Sequence, residues 1–600
     1  MIKDLYEYAL AHPDVVMPDG YAEAGLDYIV CVTPDGHVKD VLNVHDNGKF
    51  IRPVRNGARN DDPFVRKAEV FKDVVIDSSL PEDEIKKLEK TQLEREAKRH
   101  SLIREFGSCC DQALSGIRTL LSQNFQELMD RVALDCSEFL KGNVGFSVLD
   151  GAGIEVYVWN IPGVKSWWSG QYAEENRSCR TCVDILTGEP CYASKLIKNT
   201  SVKAAGGGQT SGSNLISFNA PSFNSYGFEQ GANMPAGMGS LSMAIDAYNY
   251  LAVRGVRLAD MRLLCWCSGL DSEDERMLND VFRFDFDIPD RSATQEDVDA
   301  AGQRIKGILS APVDAKAYGS LERGTYHVML TKADAARISV LYYATGDCAD
   351  LLEHYRKWHV AMDVPNINGR NAMKQRNAYS LIYAATSLRD RNASDVFSKY
   401  RRFVKPLIQA CMQGRPLSNE LLARAVRAFQ SAFYPKGDDK LDISKFGSTV
   451  QLINLCLNIG KEESDMPDGG NCAPRSVAYL CGRLFSVHEW FYGVATNDSG
   501  VMTERFVACC QKPVSQIKKI QMLCAHRMRN VNWCTGKKVF RSECEEIFGM
   551  LDEIPASLCI KQQAEFILGY WYEKARITEM TKSSAVTSND YNDKEDEDND

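Results

Sequence analysis

Short runs of apolar residues, separated by polar turns, characterise the first half of the chain. Residues 28–32 and 37–41 are two such runs, and Thr33-Pro34-Asp35-Gly36 between them is typical of a turn, so they predict a pair of strands. A highly charged segment with one apolar side predicts a helix from Pro81 to His100. Similar runs predict further strands at 144–149, 154–159 and 282–288, the last through alternating Phe282, Phe284, Phe286 and Ile288.

The periodicity changes from about residue 375 onward. Apolar residues then recur every three or four positions, as in Leu381, Ile382 and Ala385, which is typical of helices with one buried face. We therefore predict an α+β protein, with a mixed α/β N-terminal domain at 1–374 and an all-α C-terminal helical bundle at 375–576. Residues 577–600 are predicted to be a disordered acidic tail, because the last twenty residues hold seven acids and two lysines, a net charge of −5.

The composition is that of an ordinary globular protein, with 44% hydrophobic and 25% charged residues. No apolar run reaches the ~18 residues that a membrane span needs, and the first residues do not resemble a signal peptide. A cytoplasmic location without membrane contact is therefore expected. The net charge of −10 argues against indiscriminate binding to nucleic acid, so any such binding depends on local basic patches.

No catalytic constellation is visible. The Gly206–Gly208 run lacks the Gly-Lys-Ser/Thr ending of a phosphate-binding loop, and no His-Glu-x-x-His occurs. We therefore predict a non-enzymatic binding protein with no cofactor and no metal. The alternative is a metal-dependent nuclease or a zinc-containing enzyme, whose candidate ligands are Cys179, Cys182 and Cys191 or the pair Asp285 and Asp287. The cysteines lack a fourth ligand nearby, and the aspartates also suit the solvated face of a strand.

A nearly uncharged segment rich in Asn, Ser and Gly follows the glycine run. Glycines let the backbone approach a partner closely, and amide side chains can both donate to and accept from the edges of bases. An ordinary surface loop has the same composition, however. The candidate reading residues are Gln209, Ser211, Asn214, Asn219, Asn224 and Gln230, and the candidate phosphate contacts just before them are Lys195, Lys198 and Lys203. Phe218, Phe223 and Tyr226 are expected to pack inside the protein rather than stack on bases.

Two further clusters of basic residues stand out. Arg52, Arg55 and Arg59 could contact the phosphates of a duplex, or they could belong to a solvated loop. From Arg505 to Arg541 the chain has nine Lys and Arg residues and no acid, which suits a surface that follows a phosphate backbone. An acidic protein partner or plain solvent would also fit. The candidate strand-binding residues, here called the basic stripe, are Lys512, Lys518, Lys519, Arg527, Arg529, Lys537, Lys538 and Arg541.

Several blocks, in the same order, resemble one family: the large subunit of the type I-C CRISPR surveillance complex, Cascade. The resemblance spans roughly residues 25–575, and its most specific part is Leu215–Gln230. The chain differs where Ser194–Lys198 replaces the family's usual His-Pro pair and where Tyr570-Trp571-Tyr572 replaces Tyr-Tyr-His. The blocks are the turn at Asp35-Gly36, Cys182 through Thr187-Gly188-Glu189, Ser217-Phe218-Asn219, Ser225-Tyr226-Gly227, Ala336–Val340, Trp358-His359, Gly482–Val487, Ile554-Pro555 and Phe566–Tyr570.

The resemblance implies a role in antiviral defence. The N-terminal domain would recognise the protospacer-adjacent motif (PAM) in double-stranded DNA, and the helical bundle would line the unwound target, or R-loop. Guide-RNA pairing would read the target sequence. The implied partners are a guide RNA ribonucleoprotein with backbone and repeat-processing subunits, small subunits, and a recruited helicase-nuclease. In this family the C-terminal part is also made separately from an internal start, for which Met466 and Met502 are the candidates here.

Overall fold

The chain divides into two compact units, which are described separately below. This computed structural model describes all residues except 48, 56–60, 202–203, 205, 210–211, 259, 270–323, 369–376, 387–400, 435–442, 462–475, 498–499, 529–533 and 596–600. The N-terminal unit comprises Met1–Arg254 together with Ala333–Ser339, and the C-terminal unit comprises Gly255–Lys332 with Val340–Asp600.

The N-terminal unit is a mixture of strands and helices, as predicted. In chain order its elements are α1 (Ile2–Ala11), β1 (Tyr21–Gly25), β2 (Tyr28–Val32), β3 (Val38–Asn43), β4 (Lys49–Pro53), β5 (Arg66–Lys67), α2 (Glu82–Ser108), α3 (Ser115–Gln123), α4 (Phe125–Asp135), β6 (Asn143–Leu149), β7 (Glu155–Tyr157), α5 (Pro162–Glu175), β8 (Arg177–Val183), β9 (Pro190–Ser194) and α6 (Met238–Arg254).

A sheet of order β3-β2-β6-β5, with β7 also paired to β6, forms the centre of this unit. The predicted hairpin is confirmed, since β2 and β3 pair antiparallel around the turn at Gly36, whose φ of +85° suits glycine. β2 also pairs parallel with β6, and α2, α3 and α4 lie in the connection between these two strands. Every residue of β2 is buried, because its side chains belong to the core that the sheet shares with α2, α3, α4 and α5.

The C-terminal unit begins with strands and continues with helices. Its elements are β10 (Val256–Leu258), β11 (Met261–Ser268), β12 (Thr325–Asp334), β13 (Arg337–Asp347), α7 (Cys348–Met362), α8 (Ala378–Ala384), α9 (Val404–Gln413), α10 (Asn419–Ser431), α11 (Gly447–Asn458), α12 (Val477–Thr496), α13 (Gly500–Gln511), α14 (Pro513–Met528), α15 (Cys534–Met550) and α16 (Ile560–Glu595). The four strands form an antiparallel sheet in the order β10-β11-β12-β13.

The division between the units lies at residue 254 rather than at the predicted 374. The reason is that the β10–β13 sheet and the helices share one core, in which Leu263 and Val328 from the strands belong to the same buried cluster as Trp358 and Trp571. The predicted α+β class is nevertheless confirmed, with mixed sheets first and helices after them. Periodicity predicts the type of a local element but carries no information on which core that element joins.

Two other predictions concern segments near the limits of the described residues. Helix α16 continues to Glu595, so the segment predicted to be a disordered tail from residue 577 is helical over most of its length. Adding a residue to an existing helix is much easier than starting one, so a helix anchored in the bundle extends into a polar sequence. The predicted strand at 282–288 lies outside the described residues. Among the helices that are described, none is long and apolar enough to cross a membrane.

Helices α12 and α16 pack closely through two glycines. A Cβ atom placed on Gly482 of α12 would lie 2.0 Å from the carbonyl oxygen of Phe566 in α16. Reciprocally, a Cβ on Gly569 of α16 would lie 2.0 Å from the carbonyl oxygen of Tyr479 in α12. Since real Cβ atoms do not approach backbone oxygens so closely, each helix can take this position only with glycine at the contact.

We expect Gly482→Ala to lower the free energy of unfolding of the C-terminal unit by about 3 kcal/mol, because the methyl group forces α12 and α16 apart. The matched control is Gly549→Ala in α15, where no atom lies within 4 Å of the added Cβ. Alanine favours a helix by roughly 1 kcal/mol over glycine, so this control should be neutral or stabilising. Urea unfolding followed by circular dichroism compares the midpoints, and an unchanged midpoint for Gly482→Ala would contradict the close packing.

The buried His488 in α12 predicts a pH dependence of stability. Burial lowers the pKa of His488 to about 4, although its Nδ1 lies 2.7 Å from the carbonyl oxygen of Leu484. The unfolded chain binds this proton near pH 6.5 and the folded chain does not, so stability falls as the pH drops from about 6.5 towards 4. The loss due to this group reaches about 2 kcal/mol at pH 5.

Replacing this histidine should remove that part of the pH dependence. In His488→Gln, the slope of unfolding free energy against pH between 4.5 and 6.5 is expected to fall by up to about one proton. The control is His526→Gln, because His526 lies on the exposed side of α14 in the same bundle. Urea unfolding at several pH values gives both slopes, and identical slopes in His488→Gln and the wild type would show that His488 does not contribute.

Candidate nucleic-acid interface

The candidate reading residues lie in an irregular segment, residues 206–230, here called the amide loop. Thr200 closes its base, since the backbone N–H and the hydroxyl of Thr200 both donate to the carbonyl oxygen of Ser213, at 3.0 and 2.6 Å. Gly212 is essential to this closure, because its φ is +88° and an added Cβ would lie 2.1 Å from the carbonyl oxygen of Thr200. The glycines of this segment were expected to let the backbone approach a partner. At Gly212 the glycine instead allows a tight turn within the protein.

Residues 333–339, which comprise the end of β12, the turn at 335–336 and the start of β13, pair with this loop inside the N-terminal unit. The backbone N–H groups of Gln209 and Asn214 donate to the carbonyls of Ala335 and Ala336, at 3.2 and 2.8 Å. The N–H of Ile338 in turn donates to the carbonyl of Asn214 at 2.9 Å. The amide loop is thus fixed by a segment more than 100 residues away in sequence, which no local signal in the sequence predicted.

Arg337, the first residue of β13, contacts the middle of the loop. Its Nη2 donates to Oδ1 of Asn219 at 2.6 Å, and its guanidinium lies over the ring of Phe223, 4.4 Å from the ring centre. Asn219 therefore has its carbonyl oxygen occupied, and its amide nitrogen is the atom left to act as a donor. In the sequence Arg337 is notable only as part of a block of family resemblance, and no local pattern predicts this contact.

The end of the loop is a tight turn at Ser225–Phe228. Tyr226 and Gly227 both have positive φ, +54° and +75°, and Asn233 fixes the turn by accepting from the N–H of Ser225 at 2.9 Å. The Nδ2 of Asn233 also donates to the carbonyl of Phe228 at 3.1 Å. Tyr226 is 96% exposed, so the expectation that its ring packs inside the protein is wrong. Ring burial was assumed from residue type, whereas the turn conformation directs this ring outward.

The predicted reading residues differ in their access to solvent. Asn214 is half-buried and its backbone is paired, as described above. Ser211 lies outside the described residues. The exposed members are Gln209, Asn219, Asn224 and Gln230.

The three lysines before the loop also have different environments. Lys195 is exposed, whereas Nζ of Lys198 pairs with Oδ1 of the buried Asp246 at 2.6 Å. Burial raises the pKa of the Asp246 carboxyl, and the Lys198 ammonium opposes that rise. Lys198 therefore stabilises the interior, while Lys195 is available to a phosphate. Lys203 lies outside the described residues.

Arg52 and Arg55 are engaged within the protein. Arg52 is buried, with Nη1 2.7 Å from Oδ2 of Asp62, so its position does not suit the predicted phosphate contact. Nη1 of Arg55 lies 3.2 Å from Oε1 of Glu105, and its guanidinium lies over Trp168. Asp62 follows Arg52 by 10 residues and Glu105 follows Arg55 by 50, and neither pair has a spacing that a local charge pattern predicts. Arg59 lies outside the described residues.

In the C-terminal unit, most of the basic stripe is exposed. Helix α14 buries Ile517, Ile520 and Cys524, and this places Lys518 and Lys519 on its solvent side. Among the described residues, no acidic side chain forms an ion pair with any member of the stripe. Arg529 lies outside the described residues and Lys537 is half-buried. The exposed members are Lys512, Lys518, Lys519, Arg527, Lys538 and Arg541.

The cysteines considered as zinc ligands do not converge. The Sγ atoms of Cys182 and Cys191 lie 3.5 Å apart across the β8–β9 pair, whereas Cys179 is on the exposed face of β8. Side chains three apart in a strand point to opposite faces, so Cys179 and Cys182 diverge. Within the described part of the chain, no group of three or more His, Cys, Asp or Glu residues could hold a metal ion. Asp285 and Asp287 lie outside that part.

Comparison with known proteins supports the resemblance seen in the sequence. A family model described as CRISPR-associated protein (Cas_Csd1) matches residues 3–578, which is nearly the whole chain. Comparison with curated proteins gives no match. The family match includes both the amide loop and the basic stripe. The chain therefore belongs to the Cas_Csd1 family of CRISPR-associated proteins.

Proposed function

We propose that this protein is the non-catalytic large subunit of a type I-C Cascade, which recognises the PAM in double-stranded DNA and stabilises the R-loop. The observation that carries the proposal is the family match over residues 3–578, combined with an amide loop whose backbone is held in place from both ends. A loop fixed before binding loses little conformational entropy on contact, which suits recognition of a short motif.

The amide loop has the chemistry to read a DNA groove. Gln209, Asn224 and Gln230 present side chains that donate and accept hydrogen bonds, and Asn219 presents its amide nitrogen as a donor. Donors of this kind match the acceptor atoms that A·T pairs expose in the minor groove. Lys195, exposed beside the loop, would position it by contacting a phosphate without reading sequence.

The basic stripe would hold an unwound strand. Its exposed cations have no acidic partners among the described residues, so they are free to exchange counterions for DNA phosphates. Single strands bind such surfaces with little sequence preference, which leaves recognition of the target to the guide RNA. The proposed partners are guide RNA with its backbone and repeat-processing subunits, small subunits and a helicase-nuclease.

We infer that a separate small subunit starts at Met466 rather than at Met502. Met502 is buried within α13, and a product starting there would lack α12, the helix that packs against α16 through Gly482. Met466 lies outside the described residues but precedes α12 in the sequence, so a product starting there would keep both helices. We therefore assign Met466 as the start of such a product.

The proposal predicts which RNAs and proteins co-purify with this chain from its native cell. A tagged full-length chain should co-purify with short RNAs that share a repeat-derived end and with a multimeric backbone protein. The purified assembly should bind DNA that carries the motif more tightly than DNA that lacks it. Recovery of the chain alone and free of RNA would refute the proposal, and stoichiometric zinc or magnesium-dependent cleavage by the isolated chain would favour the metal-enzyme alternative.

Removing cations from the basic stripe should reduce the salt dependence of binding to single-stranded DNA. Each lost phosphate contact lowers the slope of log K against log salt by about 0.7, so a Lys512, Lys518 and Lys519 triple alanine variant should lose about 2 from the slope. The matched control replaces Lys86, Lys87 and Lys90 of α2, which are equally exposed but lie among acids. Equal slopes for both triple variants would show that the stripe does not contact phosphates.

A further inference from the structure

Tyr226 is an unusual side chain for a protein surface. It is 96% exposed, whereas the next most exposed aromatic residue among those described, Tyr434, is 66% exposed. Large aromatic rings are normally buried at least in part, because they remove more apolar area from water than other side chains. A ring held almost entirely in water therefore suggests a partner that is absent when the protein is alone.

The backbone of Tyr226 supports the same conclusion. Its φ of +54° is left-handed, a conformation that Gly and Asn adopt far more readily than Tyr. The turn is nevertheless firmly fixed by the bonds from Asn233 and by Arg180, whose guanidinium lies 4.0 Å from the ring centre of Phe228. The ring thus projects from a rigid support, and strain of this kind is typical of functional sites.

An exposed amide follows this ring by four residues, and a backbone hydrogen bond ties the next residue to an exposed lysine. Gln230, also exposed, has a φ of +48°, and the N–H of the following Gly231 donates to the carbonyl of Lys195 at 3.1 Å. Tyr226, Gln230 and Lys195 therefore present an aromatic ring, an amide and an ammonium group, respectively. Nucleic acids offer a partner for each of these groups, namely a base face, a base edge and a phosphate.

We propose that Tyr226 stacks on a nucleobase that becomes unpaired where the duplex opens beside the motif. This inference rests on the proposed function. Paired bases inside a duplex have both faces covered by their neighbours, so a free face exists only where the stack is interrupted. Because every base has such a face, stacking would favour opening at this place without adding sequence preference. A rigid turn retains most of the stacking energy, since little side-chain or backbone freedom is lost on contact.

The test is a double-mutant cycle between Tyr226 and single bases. The guide-RNA assembly purified through the full-length chain would be titrated with motif-bearing target DNA in which each of the first bases beside the motif, on either strand, is replaced by an abasic residue. One such replacement is expected to weaken binding by the wild type about tenfold. Tyr226→Asn, which removes the ring but suits the left-handed backbone, should weaken binding to intact DNA by a similar factor.

The two changes together should weaken binding no more than either alone, because both remove the same contact. Tyr226→Phe should behave as the wild type, since its ring still stacks, and Tyr434→Ala serves as the control for losing an exposed tyrosine elsewhere. Additive losses at every base position, or wild-type binding by Tyr226→Asn, would overturn the inference while leaving the proposed function intact. If the wild-type assembly fails to distinguish motif-bearing DNA, the proposed function itself fails.

Discussion

The close approach of α12 and α16 is the contact on which the C-terminal unit depends. Gly482 and Gly569 let the two backbones meet, and this brings polar side chains of both helices together in the interior. Nε of Arg483 in α12 lies 2.7 Å from Oε2 of Glu573 in α16, and both side chains are buried. Burial raises the pKa of Glu573, and the Arg483 charge opposes that rise. A buried pair of this kind tolerates no loss of one partner, so it fixes the register of the two helices.

Acidic side chains of these two helices lie inside the bundle, away from the surface that we propose for strand binding. Tyr570 of α16 donates to Oε2 of Glu489 in α12 at 2.9 Å, and Lys574 pairs with the same carboxylate. Glu489 and Glu573 are therefore paired inside the bundle, whereas the cations of the basic stripe on α14 face solvent. The separation matters because the chain is acidic overall, with a net charge of −10. Binding to phosphates then depends on where the acids are placed rather than on their number.

The amide loop is held in place by hydrogen bonds to distant parts of the chain rather than by close packing of regular elements. It has almost no regular structure of its own, and backbone groups of Gln209, Ser213 and Asn214 are paired with the segment 333–339 and with Thr200. Arg337 and Asn233 then secure the loop at two further points. An irregular loop held by long-range bonds can present side chains as precisely as a strand does, which is why function often resides in such loops.

Local patterns in the sequence determined much of this protein. Periodicity predicted the hairpin of β2 and β3, the long charged helix α2 and the helical character of the C-terminal region, because each depends on neighbours in sequence. The order of motifs identified the family, and the absence of acids marked the basic stripe. Only the tertiary structure decided that β10–β13 share a core with the helices, that Arg52 and Lys198 are paired in the interior, and that Arg337 holds Asn219. Those outcomes depend on contacts between residues at least 10 positions apart, and 118 positions apart for Arg337 and Asn219, and no local pattern encodes their proximity.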